Sequence, residues 1–228
     1  MNITYIEHSG FLVETADCYY LFDYYKGTLP ALKQDKPILV FSSHGHSDHY
    51  NPDIFSTLKE MGMQHITAIL SKDIPAEKYP VTFPNIPCIT VTFHELYELP
   101  CKTTAETLFS TDEGVAFLLR CPEGTIYHAG DLNDWVWEGE PDEENRQMTA
   151  KYRLEITRLK ERLQKTQPID VAFVTLDPRQ EKYYSNGMLY FLNTIPAKKV
   201  YPMHYWGQPE IIDKFLTEYP KYTNTVIR

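Results

Sequence analysis

The chain has 228 residues, 43% of them hydrophobic, 14% aromatic and 23% charged, so much ring surface that disorder is a poor account of it. Its 31 acidic and 22 basic side chains give a formal charge of −9, which argues against a nucleic-acid partner, since such a surface needs a basic footprint. The opening MNITYIEHSG carries no basic segment before a long apolar run, no stretch approaches about 18 uninterrupted apolar residues, and Cys18, Cys88, Cys101 and Cys121 form no CxxC pair; a cytoplasmic protein with reduced thiols and no membrane partner is expected.

Residues 2–7 and 11–15 read as short strands joined through His8, Ser9 and Gly10, and CYYLFD reads as a third that ends at Asp23. PILVFSS is an apolar run of the kind that fills a buried strand. NPDIFSTLKEMG reads as a helix, with Asn51 as its cap, Pro52 in its first turn and Gly62 at its end. ITAIL at 66–70 returns to strand character, and proline-rich loops follow around Pro75, Pro80, Pro84 and Pro87. Segments 88–93, 106–109, 115–121 and 125–128 read as strands, with Gly114 and the PEG turn at 122–124 between the later ones. From Glu140 to Gln164 the period changes: Met148, Tyr152, Ile156, Leu159 and Leu163 form a helical stripe. A strand over 170–176, a helix over 185–194, the strand KKVYPM and a helix over 208–218 complete the chain. This late alternation predicts a layered α/β fold, taken as one domain over 1–228.

Between PILVFSS and NPDIFSTLKEMG lies HGHSDH, residues 44–49. His44 and His46 are two apart, so in an extended segment their rings point to one side, and Gly45 permits close backbone approach. Asp48 adds a hard oxygen and His49 a third imidazole. Zinc accepts that mixture, and manganese or iron can use it too. Crowding these groups beside an apolar strand is costly unless a metal or hydrogen bonds satisfy them.

The cluster matches the HxHxDH signature of the metallo-β-lactamase superfamily. YHAGD at 127–131 resembles the family's strand ending in a metal-bridging aspartate, and YPMHYW at 201–206 its late strand ending in a ligand histidine. YIEHSGFLVET resembles the start of a subgroup related to ascorbate-6-phosphate lactonase. The resemblance implies a four-layer αββα sandwich with one or two divalent ions at one edge of its central sheets. His44 and His46 would serve one ion, Asp48, His49 and His204 the other, and Asp131 both; Asp48 and Asp131 would be the catalytic carboxylates. Two ions about 4 Å apart activate water and polarise a substrate.

Many relatives have a third histidine at the first site, which this chain lacks in the matching place. Asp112, in LFSTDEG, is the expected replacement; His94 is the alternative, and His128 would sit behind the site. His8, Trp135, Asp177 and Arg179 are candidates for a substrate pocket, Arg179 because its guanidinium can grip a carboxylate or phosphate. Trp137, Tyr205 and Trp206 flank the same motifs. The expected activity is metal-dependent hydrolysis of a small ester, lactone or phosphoester-type metabolite. A metal-binding sensor or structural protein and a di-iron redox protein are the alternatives, the latter without any flavin-binding segment in the chain. The acidic charge suits a monomer or a homo-oligomer.

Overall fold

The computed structural model describes residues 1–79, 85–163 and 168–228, so Pro80, Pro84 and Gln164 lie outside the described residues. Two six-stranded sheets form its centre. The first runs in the order β1 (Asn2–Glu7), β2 (Gly10–Glu14), β3 (Tyr19–Phe22), β4 (Ile38–Ser42), β5 (Ile66–Ser71) and β6 (Cys88–Val91). In the second, β7 (Leu96–Leu99), β8 (Thr103–Phe109), β9 (Val115–Cys121), β10 (Gly124–His128), β11 (Ile169–Thr175) and β12 (Ala197–Met203) follow one another in space as in sequence.

Pairing direction follows connection length. The β1–β2–β3 and β7–β8–β9–β10 neighbours are antiparallel and joined by short turns. Parallel pairs need a crossover. α1 (Asp53–Glu60) carries the chain from β4 to β5, α2 (Asp142–Arg162) from β10 to β11, and α3 (Asn186–Thr194) from β11 to β12. α4 (Glu210–Glu218) follows the last strand.

Alternation along the strands divides the apolar side chains into layers. Phe11, Val13, Tyr20, Phe22, Leu39 and Phe41 point into a core shared with the second sheet. Their neighbours Leu12, Tyr19, Leu21, Ile38 and Val40 pack outward against Ile54, Phe55 and Leu58 of α1. Tyr152, Ile156 and Leu159 of α2 join the shared core with Phe191 of α3 and Phe215 of α4. Two sheets between helices are the fold expected from the motifs. Asn51 Oδ1 accepts from the Asp53 amide at 2.9 Å, so the expected cap holds the start of α1.

Two elements differ from the sequence reading. Leu96–Leu99 is a strand on the edge of its sheet where the sequence reading assigned no strand, because LYEL is short and half exposed and lacks an apolar run. β8 starts at Thr103, three residues before the expected boundary: Thr103 and Ala105 are buried against the core although the segment looks polar.

Among the described residues no helix is long and apolar enough to cross a membrane. Both sheets send the chemistry-bearing loops to one edge. There Ser43 O, just beyond β4, accepts from the Val115 amide of β9 at 2.9 Å and ties the sheets together. The approach is close enough to demand glycine twice. A Cβ on Gly114 (φ +71°) would lie 1.9 Å from Ser43 O, and one on Gly130 (φ +52°) 2.7 Å from Ser43 Cβ.

Candidate metal centre

β3 ends in Asp23, a carboxylate with no exposure, at the point where β4 delivers Ser43 and His44. A buried carboxylate needs partners, and Asp23 has several. Its Oδ1 accepts from the Ser43 amide at 2.7 Å; its Oδ2 accepts from Ser43 Oγ at 2.7 Å and faces His49 Nδ1 at 2.8 Å. Burial alone would raise this carboxyl, but His128 and His49 outweigh it and hold it far below the usual range.

These contacts set the histidine tautomers. A carboxylate can only accept, so His49 carries its proton on Nδ1 towards Asp23 and turns Nε2 away from it. Ser43 gives its only hydroxyl proton to Asp23, so its oxygen accepts from His44 Nδ1 at 2.9 Å. Asp177, beyond β11, holds His204 Nδ1 at 2.9 Å in the same manner. Three buried imidazoles thus have Nδ1 anchored and Nε2 aimed elsewhere, the pattern that orients metal-ligating histidines.

What these Nε2 atoms face is Asp131, and His44 Nε2 also meets His46 Nδ1 at 3.0 Å. His49 Nε2 and His204 Nε2 lie 3.2 and 3.3 Å from its Oδ1, and His44 Nε2 lies 3.5 Å from its Oδ2. One carboxylate therefore presents a different oxygen to each side. The donors form two groups, each with ligand atoms within 4.8 Å of one another: His8, Asp48, His49 and His204 in one, and His44, His46 and Asp131 in the other. In the buried interior His8 Nε2, His49 Nε2, His204 Nε2 and Asp131 Oδ1 have no hydrogen-bond partner. Orphaned buried atoms are costly, and these four share one small space, which a divalent cation fits.

The charges point the same way. Burial would lower His49, but Asp131, Asp23 and Asp48 outweigh it and push its pKa up to about 9. His44 is depressed to about 4, by burial first and then by repulsion from His49. Asp48 is held far below the usual range, the nearby His8 and His49 rings outweighing its burial. Buried carboxylates here demand positive charge, and His49 meets that demand with a proton. Backbone strain concentrates in the same place: His8, Asp23, His204 and Trp206 all take left-handed φ angles of 55°, 40°, 66° and 52°.

All six first-rank candidates meet here: His44, His46, Asp48, His49, Asp131 and His204. His8 belongs to the donor cluster itself, with Nε2 3.5 Å from Asp48 Oδ2 and its ring 4.1 Å from that of His204. Asp112 stays outside both groups, its Oδ2 4.0 Å from His46 Nδ1, and Glu113 Oε2 lies 3.4 Å from His46 Nε2. His94 is committed elsewhere, to Glu155 and Arg158 of α2. His128 lies behind the cluster, its Nε2 2.9 Å from Ser9 O and its ring stacked on Phe22.

A cavity of about 380 Å³ opens over the cluster. Trp135, Trp137, Trp206 and Arg179 line it, together with His46, Asp48, Asp112, Asp131 and His204. Asp177 is not in its wall; it is fully buried behind His204. Tyr205 turns away and stacks on Tyr5. Sequence reasoning missed Asp23 and Ser43. The signal for Asp23 was a carboxylate closing the all-apolar strand YYLF, where burial without a purpose is unfavourable.

Residues 2–146 match the family described as the β-lactamase superfamily domain. Among solved structures the chain is similar to CmlA, a diiron β-hydroxylase from Streptomyces venezuelae, with a TM-score of 0.64 and 13% identity over 99% of this chain. It covers 52% of that protein, and so spans about half its length. It is also similar to Igni18, a metallo hydrolase from the archaeon Ignicoccus hospitalis, with a TM-score of 0.60 and 19% identity over 99% of this chain and 93% of that one. Zn²⁺-bound PqqB from Methylobacterium extorquens aligns with a TM-score of 0.56 and 14% identity over 96% of this chain and 83% of the other. At such identities the likeness speaks for the fold alone. No curated protein matches the sequence.

Proposed function

The chain belongs to the β-lactamase superfamily, and from that premise we propose that it is a metal-dependent hydrolase acting on a small ester, lactone or phosphoester-type metabolite. The observation that carries this reading is the set of orphaned buried atoms around Asp131 beneath an open cavity. His8, Asp48, His49 and His204 would hold one ion, and His44, His46 and Asp131 the other, with Asp131 turning its second oxygen to the first. Zinc suits this donor set best; carboxylate from Asp112 at the open side would favour manganese or iron. When bound, such ions supply Lewis acidity, polarising a carbonyl or phosphoryl oxygen and acidifying water.

The chain's own residues supply the rest. Asp23 and Asp177 fix the imidazole rings, which removes the need to reorient them during turnover. Asp48 Oδ2 is ionised and 26% exposed, with His8 Nε2 3.5 Å away, so it can also accept a hydrogen bond that orients a reactant at the cavity floor. The indoles shed water from the cavity walls. A cavity of this size takes a metabolite. The YIEHSGFLVET opening favours lactones within that class.

A screen of lactones, phosphodiesters and thioesters with zinc, manganese or iron tests the proposal. Turnover that needs the ion and stops with chelator is expected; ion-bound protein with no turnover on any of them would instead support a metal-binding protein with little catalysis. The exposure of His46, at 46%, and the three-donor group it belongs to are what favour that second reading.

Proton linkage gives an independent check. Below about pH 9 His49 holds a second proton on Nε2, and a cation must displace it. Ion binding at pH 7 is therefore expected to release about one proton from this residue, and affinity to fall about tenfold per unit as pH drops below 9 and level off above it. Calorimetry in buffers of different ionisation enthalpy measures this. Zero proton release at pH 7 would contradict the assignment of His49 as a ligand.

A further inference from the structure

Arg179 is the one cationic side chain in the wall of the cavity, among the described residues. It follows Asp177 in the turn after β11, and its Nε donates to that carboxylate at 2.9 Å, with Nη2 on the same edge. A plain charge pair would explain the contact, yet Asp177 is already served by His204 Nδ1, by Trp206 Nε1 at 3.3 Å and by the Arg179 amide at 2.8 Å. The guanidinium also lies 4.4 Å from the Trp206 ring centre and 5.9 Å from that of Trp137. Nη1 makes no hydrogen bond with the described residues, and the side chain remains 46% exposed although its carboxylate partner is wholly buried. Trp135 and Trp137 lie parallel, 5.9 Å apart at 5°, along the same cavity.

We propose that Arg179 is the anion anchor of the substrate pocket: the ligand is a small molecule with a carboxylate or phosphate group for the free guanidinium edge and a planar or apolar body for the indoles. This rests on the hydrolase reading for what happens at the other end of the ligand, but the binding step stands apart from it. Asp177 makes the anchor rigid. It fixes one edge of the guanidinium and leaves the other for a two-oxygen contact with an anion, the geometry in which arginine outperforms lysine. The same carboxylate orients His204, so the anion subsite and the metal centre share one support.

The chain contains three tryptophans, all of them in this cavity, so indole fluorescence reports on the pocket alone. Metal-loaded wild-type, Arg179→Gln and Arg179→Lys proteins are titrated with benzoate, phenyl phosphate and the neutral benzamide, and metal content is measured alongside. Saturable binding of benzoate or phenyl phosphate to wild type is expected, weakened about 10- to 100-fold in Arg179→Gln and partly restored in Arg179→Lys, with benzamide unchanged and metal content intact. Which of the two anions binds identifies the group. Equal affinities in wild type and Arg179→Gln, no saturable anion binding to wild type, or loss of metal in Arg179→Gln would each overturn the proposal, the last by showing that Arg179 only supports His204. Anion binding without turnover on any substrate would leave the anchor in place and remove the hydrolase reading.

Discussion

Asp131→Asn is expected to lose both ions on dialysis and to turn over substrate about 10³-fold more slowly, a loss of several kcal/mol of transition-state stabilisation. The reason is the division of labour between its oxygens. Oδ1 sits 3.2 and 3.3 Å from the nitrogens of His49 and His204, while Oδ2 sits 3.5 Å from that of His44. An amide keeps the shape and one acceptor but places an NH₂ group on the other side, so one donor group gains a cation-repelling edge and both lose negative charge. The isosteric change also spares folding, because Asp131 is packed within a glycine-supported turn that Gly130 keeps open. Metal analysis after dialysis, with kcat/KM on any substrate from the screen, checks this. Two ions still tightly held by the variant would contradict the assignment.

The second large effect belongs to a residue that touches no ion in this account. Asp23→Asn is expected to weaken ion affinity about 10- to 100-fold while leaving the fold intact. Oδ2 of Asp23 receives two protons, one from Ser43 Oγ and one from His49 Nδ1. An amide NH₂ in that place is a donor facing donors. In the neutral imidazole that binds an ion, His49 then relieves the conflict by keeping its one proton on Nε2, the atom that faces Asp131, rather than on Nδ1, and a protonated nitrogen cannot ligate. Ser43 loses its acceptor too, which unsettles His44 Nδ1. Both donor groups are therefore affected from one position. Ser43→Ala, which removes the hydroxyl's contacts with Asp23 and His44 but keeps the Asp23–His49 bond, should cost less. Calorimetric ion titration with circular dichroism as the folding control measures both; wild-type affinity in Asp23→Asn would show that the tautomer is set by something else.

The legible part of the sequence was local. YYLF and ILVFS announce buried strands by their unbroken apolar runs, and α2 announces itself by the Tyr152, Ile156, Leu159 stripe. The ligand motifs were legible because each closes such a strand: His44 after β4, Asp131 after β10, His204 after β12. What spacing could not show was convergence in space. Asp23 reaches His49 and Ser43 only because β3 and β4 are parallel neighbours with Phe22 opposite Phe41. His8 enters the cluster because its carbonyl accepts from the His204 amide at 3.3 Å, a link between the two sheets that no local pattern predicts. Asp177 was read as a pocket residue from its place after a strand, and its burial depends on how His204 folds over it. LYEL was passed over as a strand because β-pairing on a sheet edge needs little apolar burial to be visible in structure, and leaves little to see in sequence.

Anomalous diffraction from crystals grown with zinc or manganese locates any bound ions outright. Two cation peaks are predicted beside Asp131, one with the Nε2 atoms of His49 and His204 in its shell and the other with His44 and His46. No peak in that space, or an ion whose shell includes neither His46 nor Asp131, would contradict the account.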